Sequence, residues 1–353
     1  MTAWTWLVPI VSFALFIMAF AIGVTPVVAT ICTIALIGAV IAAVHHAEVV
    51  AHRVGEPFGT LILALAVTVI EASLVLSMML AGGEGAAVLT RDTIYAAVMI
   101  ICNGVVGLCI LVGGIAHREQ TFQVDGAGAG LAAVITLATL TLVLPDFTTT
   151  TSGGTYSKGQ LVFAAVASLA LWAIFVFVQT VRHRDYFLPG AGAEEVHAPP
   201  PTNRETWISV GLLLVSLVSV VGLAKALSQS IEDAVDAMGA PKAVLGIAIA
   251  MLVLLPETWA AVRAARANRL QTSMNLALGS ALATIGLTIP VVAITAVALN
   301  LRLVMGLEAR DITILAVTFL VSTVTLSTGR THVMQGAIHL VLFATFLFLS
   351  IVP

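Results

Sequence analysis

Two acidic side chains stand where the surrounding sequence offers them no water. Glu71 lies in the middle of the apolar run 60–80, and Glu257 lies in the apolar run 246–262. The chain has 18 acidic residues, and nearly all the others fall at the ends of apolar runs or in the polar segments between them. A charge at mid-bilayer costs roughly 2.5–3.5 kcal/mol even on the lenient insertion scale. Such a residue faces a water-filled cavity, pairs with a cation or keeps its proton. For either glutamate alone, a protonated carboxyl in an interhelical hydrogen bond is the competing reading; two in comparable settings favour chemistry. A desolvated carboxyl prefers to hold a proton, whereas a bound cation favours the ionised form and expels it. Two such groups can hold one divalent cation or two protons, which is the coupling that a cation/proton exchanger needs.

Neutral oxygens near these acids complete a candidate ion site. Thr68 precedes Glu71 by three residues and shares its helical face. Pro256 precedes Glu257, removes an amide donor and frees a carbonyl near Leu252; freed carbonyls in broken helices are common cation ligands. Asn103 is a lone amide in the apolar stretch 100–107, and Ser280 and Thr284 lie one turn apart in the Gly/Ala/Ser/Thr-rich run 275–288. Each has a plainer reading. Asn103 can be a polar core residue, and a helical serine or threonine often bonds back to its own helix.

These residues must be held by membrane-spanning helices. Of 353 residues, 60% are apolar and 9% charged, far below the quarter that a soluble domain carries. The expectation is therefore an all-α polytopic membrane protein. A window of about 20 apolar residues predicts eleven spans: 4–22, 26–46, 57–81, 92–116, 126–145, 159–182, 206–227, 241–265, 271–299, 310–328 and 333–352. Gly- or Pro-rich turns punctuate them at 23–26, 55–57, 82–85, 153–154 and 239–241. Residues 1–22 lack a basic leader and a cleavage site and read as a retained first span. The net charge of −3 points to no nucleic-acid partner, and Cys32, Cys102 and Cys109, all in apolar runs, read as reduced packing residues.

The longest polar connector, 182–205, carries Glu194, Glu195, His197 and a Pro run at 199–201. It divides the chain into an extra helix (1–25), a five-helix repeat around Glu71 (26–182), a linker (183–205) and a five-helix repeat around Glu257 (206–353). An odd number of spans per repeat inverts one relative to the other, an arrangement that in many transporters puts the binding site at the midplane. With the N-terminus cytoplasmic, the inner connectors hold nine of the 15 Lys and Arg residues and the outer ones six, a modest positive-inside bias.

The stretches 48–74, 93–114 and 244–290, with Asn103, Glu71, Glu257 and the Gly279-Ser280 pair in place, together with the ending 327–340, resemble the calcium/cation antiporter superfamily. Within it they are similar to the cation/proton exchanger branch and its bacterial Cha-type (calcium, sodium and potassium)/proton antiporters. The resemblance implies one helix plus two inverted five-helix repeats, with the third, fourth, eighth and ninth helices around the ion and the second and seventh shifting to alternate access. It implies residence in a bacterial inner membrane, no cofactor, and lipid and small inorganic cations as partners; the charge bias and the odd span number put the C-terminus on the periplasmic side. The implied activity is exchange of Ca²⁺ for H⁺, with Na⁺ or K⁺ open as substrates. Ion and proton binding would fall to Glu71, Glu257, Asn103, Ser280, Thr68 and Thr284, with Glu71 and Glu257 as the metal-binding acids. Two departures matter: Thr68 and Leu254 stand where the family pattern has asparagine, and Ala283 where relatives often have glutamine. Ca²⁺ takes six to eight oxygens, so these losses keep a monovalent ion in play.

Other polar features have weaker readings. His45, His46 and His52 lie at the predicted cytoplasmic end of the second span and offer a pH sensor, since histidine titrates near neutrality; an interfacial helix end is the plainer account. Glu232, Asp233 and Asp236 read as an outer loop face, and Arg263, Arg266 and Arg269 as an anchor to anionic lipid. A passive channel would need rings of charge or carbonyls along a pore, and intramembrane hydrolysis a nucleophile–base or metal motif; neither pattern stands out. His339 is the one histidine inside a late span, which sits poorly with zinc transport.

Overall fold

A computed structural model describes residues 2–55, 58–81, 86–188, 201–237 and 243–352. Among them run eleven long helices: α1 (Ala3–Ile22), α2 (Pro26–Val54), α3 (Phe58–Ala81), α4 (Ala86–His117), α5 (Val124–Phe147), α6 (Lys158–Arg182), α7 (Asn203–Ala237), α8 (Ala243–Arg266), α9 (Leu270–Leu299), α10 (Ala309–Ser327) and α11 (Val333–Ile351). Ten are long and apolar enough to cross a membrane, and α3, with 24 residues, carries the apolar stretch Ile62–Ser77. The protein is an all-α polytopic membrane protein. Its outward residues confirm the solvent: Phe20 is 80% exposed and Trp259 70%, while Ser12, Thr288 and Ser216 are buried. That inversion is stable only where hydrocarbon surrounds the helices.

Local chemistry sets the helix ends. Thr25 accepts a hydrogen bond from the Val28 amide and Pro26 opens α2, the favoured N-terminal pairing. Gly55 ends that helix at φ +79°, a conformation that costs a side-chain-bearing residue more. Ser157 with Gln160 closes a capping box on α6, and His332 with Gln335 does the same on α11. Three π turns interrupt the helices, at Ile100–Val105, Thr139–Val143 and Val178–Arg182.

Two helices run well past the expected C-terminal ends of their spans. α2 continues to Val54, about 44 Å at 1.5 Å per residue. His45 and His46 therefore lie within the helix and not at its end, while His52 falls in its last turn. α7 continues to Ala237, so residues 232–236 are helical and not a loop, and Asp233 is exposed. The turns at 82–85 and 239–241, Glu194, Glu195, His197 and most of the proline run lie outside the described residues.

Contacts divide the chain into two compact units, Met1–Leu89 with Glu195–Leu245, and Thr90–Glu194 with Gly246–Pro353. Each draws from both sides of the linker. In the first unit α2 packs against α1, α3 and α7, through an alanine stripe that includes Ala39, Ala43 and Ala47, all fully buried. Ser12 donates to the Ala35 carbonyl at 3.0 Å and His46 Nε2 to the Thr5 carbonyl at 2.9 Å, tying α1 to α2.

In the second unit α9 packs against α4, α5 and α6, and α11 lies along α4. Small residues permit these crossings: a Cβ on Gly107 would stand 2.8 Å from His339 Cβ, and one on Gly336 would stand 2.8 Å from the Gly107 carbonyl oxygen. The connectors of this unit sort to two ends. At one, β1 (Glu119–Thr121) pairs antiparallel with β2 (Arg330–His332), Gln120 donates to the Ala265 carbonyl at 2.7 Å, and Gln271 donates to the Tyr186 carbonyl. At the other, the Met305 and Gly306 amides bond the Gly154 carbonyl, Lys158 reaches Asn300, and Arg91 holds Asp92 at 2.7 Å. This is the alternation that single crossings by successive helices require.

Candidate ion site

In the second unit, α8 and α9 bring one candidate acid beside a hydroxyl. Glu257 is 6% exposed, and the Ser280 hydroxyl of α9 donates to its Oε2. The pair is brought together by tertiary packing, 23 residues apart in the chain. α8 stays helical through Pro256, whose missing N–H releases the Leu252 carbonyl from its helical bond. In the same turn Thr258 donates back to the Leu254 carbonyl at 2.7 Å. Nothing stands within 4 Å of the place that a Cβ on Gly279 would take, so the helix surface beside Ser280 is open. Thr284, one turn further along α9, is buried.

Glu71 belongs to the first unit. It is 1% exposed on α3, and Thr68, one turn before it, is buried as well. The Thr68 hydroxyl donates to the Ala64 carbonyl at 2.8 Å. That bond uses the proton and leaves the oxygen lone pairs available to a cation. Both glutamates are buried away from the helix termini, where their charge needs a counter-ion or a proton.

Asn103 is fully buried within the π turn Ile100–Val105. Its Nδ2 donates to Thr318 Oγ1 on α10 at 2.9 Å, and its Oδ1 lies 3.3 Å from His339 Nδ1 on α11. His339 Nε2 in turn lies 3.1 Å from Thr325 Oγ1. The structure thus joins Ser280 to Glu257 and gives Asn103 a separate set of partners. Sequence reasoning missed Thr318 and Thr325. Their signal was the spacing of Thr318, Ser322 and Thr325, which put three polar residues on one face of an apolar helix.

The three N-terminal histidines occupy different settings. His46 is buried and bonded to Thr5, the His45 ring lies 5.1 Å from that of Trp4, and His52 is exposed. Cys32, Cys102 and Cys109 are buried free thiols. Among the described residues no three of His, Cys, Asp and Glu converge, so a cation held by these residues needs hydroxyl, amide or carbonyl oxygens besides the acids.

Ten described helices long and apolar enough to cross a membrane, with carboxylates buried among them, define a multi-pass membrane protein. A family model described as sodium/calcium exchanger protein matches residues 24–181 and 208–352, and the chain belongs to that family, one of cation exchangers and not of enzymes. It is 48% identical to the putative ionic transporter y4hA of Sinorhizobium fredii, over 99% of this chain and 96% of that protein. It is 37% identical to the sodium-potassium/proton antiporter ChaA of Escherichia coli, over 91% of this chain and 89% of that one. The solved structure of native YfkE superposes with a TM-score of 0.75 at 15% identity, covering 99% of this chain and 100% of that one, a likeness of fold.

Proposed function

We propose that this chain is a secondary cation/proton antiporter in which Glu71 and Glu257 alternate between protonated and cation-neutralised forms. The observation that carries the reading is Glu257, buried within α8 with the Ser280 hydroxyl donating to it. One neutral donor does not balance a buried carboxylate charge, so the group is complete only with a proton or a cation. Glu71, buried on α3, is the matching group of the first unit. If the helices rearrange readily only when both acids are neutralised, uncoupled leak is suppressed and exchange follows. Ser280, Thr68, Thr284, Asn103 and the Leu252 carbonyl are the proposed neutral ligands.

For the cation, Na⁺ and K⁺ fit the ligand set best. Ca²⁺ needs six to eight oxygens, and Leu254, buried on α8, supplies none where an amide would have supplied one. The name of the Escherichia coli relative points the same way. Ca²⁺/H⁺ exchange is the second reading, favoured by the fact that two carboxylates neutralise one divalent ion and by the description of the family model.

Orientation follows from charge. The end of the second unit where β1 meets β2 carries Arg118, Arg266, Arg269 and Arg330 near Glu119, and an Arg-rich end faces the cytoplasm of a bacterial inner membrane. Chain continuity then gives a cytoplasmic N-terminus and a periplasmic C-terminus.

The test uses purified protein in liposomes with an internal pH dye. Na⁺, K⁺ and Ca²⁺ are added separately, with wild type and with Glu257→Gln. Cation-dependent pH change in wild type, lost in the variant, supports the reading and ranks the ions; cation flux without proton movement overturns it.

A further inference from the structure

We propose that His339 is a positioning residue for cation exchange, acting through the Asn103 amide. The inference rests on the reading of Asn103 as one of the neutral ligands and assigns a role to a buried group that the exchange chemistry leaves unused. His339 is fully buried on α11. It can sit there because Gly107 of α4 has no side chain; an added Cβ would meet His339 Cβ at 2.8 Å.

The partners fix the direction of each bond. Asn103 Oδ1 only accepts, so His339 Nδ1 carries the proton and donates to it at 3.3 Å. His339 Nε2 is then an acceptor and takes the Thr325 hydroxyl proton at 3.1 Å. At the far side Asn103 Nδ2 donates to Thr318 Oγ1 at 2.9 Å. Thr325, His339, Asn103 and Thr318 therefore form one directed chain across α11, α4 and α10, and it leaves the amide a single orientation. The π turn that carries Asn103 also packs against α9, the helix whose Ser280 donates to Glu257. A side chain with both polar ends held is pre-organised, and that kind of support is what keeps a ligand set in register.

The experiment measures cation KM and maximal rate in liposomes for wild type, Asn103→Ala, His339→Leu, His339→Asn and the double variant Asn103→Ala/His339→Leu. Tryptophan melting curves check that each protein is folded. His339→Leu should raise KM roughly five- to tenfold, the effect of losing one buried hydrogen bond, with the maximal rate within about twofold. His339→Asn, whose amide can replace the Nδ1–H donor, should restore KM to within about threefold. In the Asn103→Ala background His339→Leu should add nothing, because the two act as one unit. Independent, multiplicative effects overturn the inference, as does a fall in maximal rate at unchanged KM that His339→Asn does not relieve. An Asn103→Ala variant with wild-type KM removes Asn103 from the ligand set and overturns the inference while glutamate-dependent exchange persists. Failure of the antiporter reading itself would show earlier, as absent proton movement in wild type.

Discussion

Two buried polar groupings in the second unit invite comparison. Around Asn103, the described donors and acceptors meet in closed pairs: amide to threonine, histidine to amide, threonine to histidine. All of these groups are neutral in that arrangement, and the network holds the Asn103 amide in one orientation with or without an ion beside it. Around Glu257 the arrangement stops short. One hydroxyl faces a carboxylate, and the helix surface beside Ser280 at Gly279 is open. The difference teaches that burial alone does not distinguish a neutral ligand from the group that carries the charge. What marks the latter is a buried acid, Glu257, to which among the described residues a neutral hydroxyl donates.

The largest effect that can break this contrast comes from the acids. Glu257→Gln, and separately Glu71→Gln, should reduce cation-coupled proton flux by roughly a hundredfold or more, the scale for removing a group whose charge is used at every turnover. The amide keeps the shape, so yield and elution profile of the purified protein should stay near wild type. Substantial flux in either variant would return that glutamate to the class of satisfied core residues.

Packing under the neutral network ranks next. Gly107→Leu would drive a side chain into His339 and the Gly336 backbone. Overpacking of this kind costs about 1–3 kcal/mol, read as a lowered melting temperature. An unchanged melting curve would show that α4 and α11 are not held in contact there.

Ser280→Ala sharpens the comparison from the charged side. It removes the donor that favours the ionised carboxylate, so cation KM should rise roughly tenfold and the pH–rate profile should move to higher pH. Wild-type behaviour would mean that the Ser280 contact is incidental. The smallest effect is expected far from both groupings. His46→Phe deletes the bond to Thr5 and should cost roughly 1 kcal/mol of stability, measured by melting in detergent, with the shape of the pH–rate profile retained. A displaced profile would restore pH sensing to the N-terminal histidines.

Much of this molecule was legible in its residues. Hydrophobic runs of about 20 residues placed the helices to within a few positions for most spans, because lipid leaves backbone groups no partner but their own helix. Where the reading fell short, at α2 and α7, the helices run on past the apolar stretch: residues 47–54 and 228–237 include histidine, arginine and acids that end a hydropathy window without ending a helix. Glu71 and Glu257 announced themselves by the cost of a charge in apolar surroundings, and the family motifs ordered the same residues.

What the chain could not declare was pairing across it. Ser280 and Asn103 looked like equal candidates for neutral ligands; packing gave the first to Glu257 and the second to Thr318 and His339. The small strands β1 and β2 join connectors more than two hundred residues apart in sequence, and no local pattern encodes that pairing. The amino-acid sequence by itself determined the solvent, the helices and the two costly acids, since those follow from transfer energies of individual residues. The tertiary structure decided which polar groups satisfy one another, since a hydrogen bond depends on a partner's position and direction, and both are set only when glycines such as Gly107 and Gly336 let distant helices close to backbone contact.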